Sequence, residues 1–179
     1  MTAQQIDFVD DMIQIKSVAG KTSWEFQYAY PDTAVTYVLD PSGYVGELYC
    51  KLELVSPDND TILDEWIAAS TAKTRTPKHE RFNVGVRRLF LRPGEYKAQL
   101  TVRDLNDSTR ILTSSFKSTV QQFGLTPALA DIMFTSPVEG VIDSVFMRNG
   151  TDAIPNPRHE VVGRDPSIPI YSEVYNALV

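Results

Sequence analysis

Residues Leu91 to Asp107, LRPGEYKAQLTVRDLND, restrict this chain more than any other stretch. Pro93-Gly94 makes a turn, and from Glu95 onward polar and apolar side chains alternate. Tyr96, Ala98, Leu100 and Val102 fall on one face; Glu95, Lys97, Gln99, Thr101 and Arg103 fall on the other. A period of two with one wet face is the mark of an antiparallel strand. Asn106-Asp107 closes it with residues that turns select. A chain organised around such a segment folds as β-sheet with one face buried.

The same grammar recurs along the first two-thirds of the sequence. Trp24, Phe26, Tyr28 and Tyr30 alternate until Pro31-Asp32 breaks the strand. Val35–Leu39 is a short strand closed by Asp40-Pro41-Ser42-Gly43. Val45–Val55 follows with Leu48, Cys50, Leu52 and Leu54 inward, and Ile62–Lys73 returns with Trp66 and Ala68 among its apolar positions. Thr74–Arg81 is polar and loops. Phe82, Val84 and Val86 alternate, then Leu89 and Leu91 appear on the opposite parity, which predicts a bulge or register break near Arg87-Arg88. With the Leu91 run and a last strand over Arg110–Val120, the strands number seven. No amphipathic segment of helix length separates them. The best helical candidate is Thr126-Pro127-Ala128-Leu129-Ala130-Asp131, with Thr as cap and Pro at the first position. Short strands at such spacing describe a sandwich, not a parallel sheet.

Tyr96, just inside a strand after a turn, resembles the tyrosine corner of immunoglobulin-like domains. The expected fold is therefore an all-β, immunoglobulin-like antiparallel β-sandwich with a C-terminal extended β segment. Residues 1–21 form an N-terminal arm or an edge strand through Phe8–Ile15, residues 22–122 the sandwich, and residues 123–179 a linker and partial second β region. In that last region Ile168–Val174 reads as a strand. Residues 168–176 stand outside the seven-strand count and need a neighbouring edge, either Ile132–Thr135 or the same segment of a second molecule. That makes Ile170, Tyr171 and Val174 the candidate edge for β-augmentation.

Across 179 residues the net charge is −6, which disfavours nucleic acid or an anionic membrane as partner. No run of about 18 apolar residues exists to span a bilayer. The opening has no basic and apolar leader; Met1-Thr2-Ala3-Gln4-Gln5 reads as an initiator placed on a mature end, with a small residue where signal peptidase cuts. The single cysteine, Cys50, shares parity with three leucines and reads as a core residue; alone it forms no internal disulfide.

Catalytic chemistry has no signature. His79 and His159 are far apart among prolines and charges and read as loop residues. Gly-x-Ser-x-Gly, a Walker loop and Cys-x-x-Cys are all missing. The acidic turns Asp58-Asn59-Asp60 and Asp104–Asp107 lack EF-hand spacing and carry the residues hairpin turns prefer. The sequons at Asn59, Asn106 and Asn149 follow from the same turn composition. Trp24, Phe26, Tyr28 and Tyr30 share one parity, as a core face requires, leaving Tyr44 and Tyr49 as the better surface aromatics. Arg87 and Arg88, with Arg92, form a local basic set. The candidate surface-binding residues are thus Tyr44, Tyr49, Arg87 and Arg88. No catalytic, cofactor-binding or metal-ligating residue is assigned.

Taken together, Trp24–Tyr30, Leu91–Asp107, Phe146-Met-Arg-Asn-Gly150 with Ile154-Pro-Asn-Pro157, and Ile170-Tyr-Ser-Glu-Val-Tyr-Asn176 resemble the N-terminal β region of bacterial GWxTD-domain proteins. The similarity spans residues 22–177; the Gly-Trp-x-Thr-Asp sequence itself is absent. The resemblance implies an exported bacterial protein with immunoglobulin-like domains and no catalytic residue, periplasmic or extracellular. The expectation is a non-enzymatic module with a structural or protein-interaction role and no cofactor. Its partners would be a protein or a downstream domain of the same polypeptide, or a second copy through the C-terminal strand. The alternative is a carbohydrate-binding module of a larger extracellular protein, with a glycan as ligand.

Overall fold

The computed structural model describes residues 6–17, 21–41, 43–76, 81–137, 143–160 and 169–177. Strands account for 62% of them and helix for 4%, arranged in several antiparallel sheets, so the all-β class expected from the alternation is what the chain adopts. Two compact units are present, each assembled from separate stretches. One comprises Met1–Phe8, Tyr30–Asn83 and Gly94–Thr119; the other comprises Val9–Ala29, Val84–Pro93 and Val120–Val179.

In chain order the strands are β1 (Val9–Lys16), β2 (Thr22–Pro31), β3 (Val38–Asp40), β4 (Gly43–Val55), β5 (Thr61–Ala72), β6 (Phe82–Leu91), β7 (Gly94–Asp104) and β8 (Ile111–Val120). Seven shorter ones follow: β9 (Ala128–Leu129), β10 (Met133–Ser136), β11 (Met147–Arg148), β12 (Thr151–Asp152), β13 (Ile154–Pro155), β14 (Ile170–Tyr171) and β15 (Val174–Tyr175). β2 to β8 are the seven strands expected over residues 22–122.

The first unit is built on one sheet. β4 carries β5 on one edge and both β3 and β7 on the other, with β8 outside β7. Register puts Cys50 opposite Trp66 and Val102, and Leu52 opposite Leu100. The even-numbered residues of β4 and β7 are therefore buried together, and Cys50, Leu52, Leu54 and Leu100 are fully enclosed. Alternation specifies this because a one-residue slip would turn the whole set to water. Tyr96 is buried in the same row. Gly94 opens β7 at φ +148°, and a Cβ there would lie 2.6 Å from Pro57 of the β4–β5 turn, so only glycine fits that approach.

The second unit holds β1 paired antiparallel with β2, in the sheet order β1-β2-β6. The edge-strand form of the N-terminal arm is the one present. Every residue of β2 is buried. Trp24, Phe26 and Tyr28 follow one another ring to ring at about 6 Å along one face. The other face, Ser23, Glu25 and Gln27, is covered by the C-terminal segment: Gln27 Nε2 donates to Met133 Sδ, and Arg148 Nη2 donates to Glu25 Oε2. Ile13 and Ile15 of β1 join Ala130, Met133 and Ala153 in a compact cluster, against which Tyr171 and Tyr175 pack. Asn149 (φ 46°) and Gly150 (φ 77°) make the two-residue turn between β11 and β12, the left-handed geometry Asn-Gly supplies.

Three expectations change. Ala128–Leu129, expected to be helical, is strand β9, because a four-residue helix cannot repay its nucleation while the tail offers a backbone partner. Val35–Tyr37 is not strand; a 3-10 turn over Asp32–Ala34 precedes it, and β3 starts at Val38. The expected strand 168–174 is split: β14 pairs with β10 and β15 with β9, while Ala130 N–H bonds to the Glu173 carbonyl between them. Residue 168 lies outside the described residues. The tail takes the Ile132–Thr135 edge offered to it, β14 pairing with β10 at Met133 and Phe134, and Tyr171 and Tyr175 pack on the cluster of Ile13, Ile15, Ala130, Met133 and Ala153. The parity change in β6 is present in burial: Val86 is buried, Arg88 and Phe90 are exposed, and Leu91 is buried.

Candidate functional site

The C-terminal segment of the second unit combines a fixed interior with an apolar exterior. Its interior is organised by Glu173. Tyr171 Oη donates to one carboxylate oxygen and Tyr175 Oη to the other, and Asn149 Nδ2 adds a third bond at 2.8 Å. Tyr175 Oη also accepts from Lys16 N–H at 3.0 Å, and the Lys16 ammonium sits 5.6 Å from the Tyr175 ring centroid. Burial, followed by the Glu173 carboxylate, pushes the Tyr171 hydroxyl up to about 12. The same causes raise Tyr175, so both phenols stay neutral donors. Asn176 Nδ2 ties the end of the tail to the Gly124 and Thr126 carbonyls.

The exterior carries cross-strand apolar pairs. Val174 lies opposite Leu129 and Ile170 opposite Phe134. Val174, Ile170 and Leu129 are 66%, 60% and 54% exposed. Tyr171 and Tyr175 point inward on the same short strands, so period two forces their neighbours outward. Thus the three residues expected at the β-augmentation edge divide: Ile170 and Val174 face out, whereas Tyr171 packs in. All three pair with their own chain, and β14 remains the terminal strand of its sheet.

Beneath this segment lies a buried ion cluster that sequence analysis missed. Glu25, 1% exposed, gives Oε1 to Arg88 Nε and Oε2 to Arg148 Nη2, both at 2.6 Å. Arg88 and Arg148 also donate to the Val145 carbonyl, so the cluster fastens the 143–148 turn to β2. Alternation had placed Glu25 on a wet face. A partner 123 residues away leaves no local mark.

A second buried polar group sits in the first unit. Asp32 Oδ1 accepts from Tyr37 Oη (3.1 Å), Ser70 Oγ (2.9 Å), Asn83 Nδ2 (2.8 Å) and Arg81 Nη2 (3.3 Å), and Arg81 Nε lies 3.2 Å from Oδ2. Burial raises the Asp32 pKa, but the Asn83 and Ser70 bonds, the Arg81 charge and the Tyr37 hydroxyl outweigh it and hold the carboxyl below its ordinary value. Such a carboxylate is a poor base. A cleft of about 270 Å³ beside it is lined by Thr33, Thr36, Tyr37, Arg75 and Thr76. The cluster fixes the chain between β2 and β3.

These carboxylates predict opposite pH responses. The folded pKa of Asp32 is depressed, so its stabilisation is complete above about pH 4 and is lost as pH falls through the folded value. Burial, with Asp11 beside it, raises Asp10; burial likewise raises Asp131. Their charged forms are disfavoured in the fold at neutral pH, and that penalty disappears as pH falls through the raised values. Asp10→Asn should therefore be more stable than the parent at pH 7 and equal to it below about pH 3.5. Denaturation at the two pH values checks this, and the same difference at both would contradict it.

The remaining sequence candidates do not converge. Tyr44 and Tyr49 lie on a continuous register of β4 at opposite parity, so their rings project from opposite faces. Tyr49 donates to Glu65 across the strand pair. Arg87 and Arg88 are adjacent in β6 and likewise diverge, with Arg88 held by Glu25. His159, at φ 55°, is 3.0 Å from Asp11 and lies against Phe134; His79 is outside the described residues. The acidic turns are engaged locally: Asp107 accepts from Thr109 N–H and Oγ1, and Asp104 from Thr36 N–H, Asn106 N–H and Arg110. Asn59 and Asn149 adopt positive φ, and Asn106 Nδ2 donates to the Thr36 and Val45 carbonyls, so the sequon asparagines serve turns.

Among the described residues no helix is long and apolar enough to cross a membrane. Comparison with protein-family models, with curated proteins and with solved structures returns no match for this chain.

Proposed function

We propose that this chain is a non-enzymatic, immunoglobulin-like β module with a structural or protein-interaction role. On the resemblance to the N-terminal β region of GWxTD-domain proteins, it belongs to an exported bacterial protein, periplasmic or extracellular. The observation that carries the interaction role is the outward pairing of Val174 with Leu129 and of Ile170 with Phe134 on a segment whose polar side chains are tied inward. The partner we assign is a second copy of the chain. β14 ends its sheet, and a strand edge placed antiparallel to itself about a two-fold axis satisfies both copies at once.

Sedimentation over a range of protein concentration tests this. The parent should associate reversibly. Val174→Lys with Leu129→Glu should shift it to monomer while leaving its melting temperature within a few degrees, because both side chains are exposed and the new charges facing each other are opposite. A parent that is monomeric throughout, or association untouched by the two substitutions, would contradict the assignment. The second reading, a carbohydrate-binding module of a larger extracellular protein, is favoured by a separate feature of the β7–β8 face.

A further inference from the structure

The outward face of the first unit carries a cleft of about 480 Å³ lined by Glu53, Val55, Lys97, Gln99, Ser115 and Lys117, together with Ala98 and Phe116. The first six have odd numbers and so belong to the face opposite the buried one. A smaller hollow of about 160 Å³ shares Val55, Lys97 and Lys117 with it and extends it toward the β4–β5 turn.

The register of the β7–β8 hairpin places the two lysines side by side. Asp104 N–H bonds to the Arg110 carbonyl at the turn, and the strands end at Gly94 and Val120. An unbroken antiparallel ladder between those limits sets Lys97 opposite Lys117 and Gln99 opposite Ser115. Like charges directly opposite on a sheet destabilise it. Neither ammonium has a hydrogen-bond or ion-pair partner among the described residues. Glu53, diagonal to Lys97, is engaged by Lys51 at 3.0 Å, and Glu95 lines the smaller hollow with Lys97 and Lys117. Two adjacent ammonium groups outside any ion pair among the described residues thus line a cleft of a protein whose net charge is −6.

We propose that this cleft binds an acidic saccharide, one carboxylate or sulfate of which lies between the Lys97 and Lys117 ammonium groups. Gln99 and Ser115 supply donors and acceptors for sugar hydroxyls one row away, and Val55 and the lysine stems give the apolar surface a sugar ring covers. An extended acidic peptide fits less well. Such a peptide would instead add along the edge of β8, which ends its sheet among the described residues, and not across the face where the lysines stand. Because the whole-molecule field is negative, the attraction is short-ranged and sensitive to salt. This site is in the other unit from the self-association surface, so either assignment can fail without the other.

The test is titration of the full chain with polygalacturonate, neutral dextran, polyglutamate and sodium sulfate, repeated with Lys97→Ala plus Lys117→Ala. Polygalacturonate should bind and dextran should not. The double substitution should weaken binding at least tenfold, with the melting temperature unchanged or raised as the repulsion is removed. Raising salt should weaken the parent in the same direction. The proposal is overturned if polygalacturonate does not bind, or if dextran binds equally. Binding insensitive to the double substitution, or equal binding of polyglutamate, overturns it as well. Sulfate alone should compete with polygalacturonate, and failure to compete would remove the two-lysine clamp.

Discussion

Glu25→Gln lowers the unfolding free energy by about 3–5 kcal/mol, because it leaves Arg148 buried beside a neutral amide. The Arg148 side chain is 4% exposed, so water cannot replace the lost charge. Arg88, 32% exposed at its side chain, can turn to solvent and contributes less to the loss. The pair is not valuable in itself; two charges were desolvated to make it. Glu25→Leu combined with Arg148→Met should therefore be more stable than Glu25→Leu alone, which strands the buried Arg148 guanidinium. Denaturant unfolding of the three variants decides the matter. A loss near 1 kcal/mol for Glu25→Gln would place the cluster in effective contact with water.

Deleting residues 169–179 is the second large perturbation. It removes the tyrosines that pack on Ile13, Ile15 and Met133, and it strips β9 of its partner and β10 of one of its two. By analogy with large-to-small core substitutions, the cost should be at least about 3 kcal/mol in the second unit. The exposed cluster should also bind a hydrophobic dye. Little change in melting would mean that the tail rests on the fold instead of completing it. Sequence alone suggested that outcome, because seven strands were already counted without the tail.

That contrast shows where the sequence speaks and where it is silent. Alternation placed β2, β4, β5 and β7 with their buried parity, since a strand with one wet face writes its environment into every second residue. Turn residues marked the breaks at Pro31-Asp32 and Asp40–Gly43 for the same local reason. β2 defeats that logic. Its Trp24, Phe26 and Tyr28 face reads correctly as core, but Ser23, Glu25 and Gln27 read as solvent-facing and are buried. Polar residues can be inside when charges and amides arrive from a distant segment, and no local pattern announces that arrival. The assembly of each unit from separate stretches is equally unmarked, with β2 and β6 passing as single strands through both. Likewise Asp32 read as a strand breaker, yet Ser70, Arg81 and Asn83 gather on it from 38, 49 and 51 residues away. Lys97 and Lys117 were visible only as two members of two wet faces; their adjacency needs the hairpin register.

The outward apolar surface depends on the tail pairing with its own chain at one register. A cysteine pair at Leu129→Cys and Val174→Cys, in a chain with Cys50→Ala, reads that register directly, since opposed residues of antiparallel strands lie within disulfide reach. Mild oxidation should give an intramolecular disulfide in a species of monomeric mass. Oxidation to covalent dimers, or no cross-link at all, would show that the tail pairs with another molecule or at another register, and the surface described here would not exist.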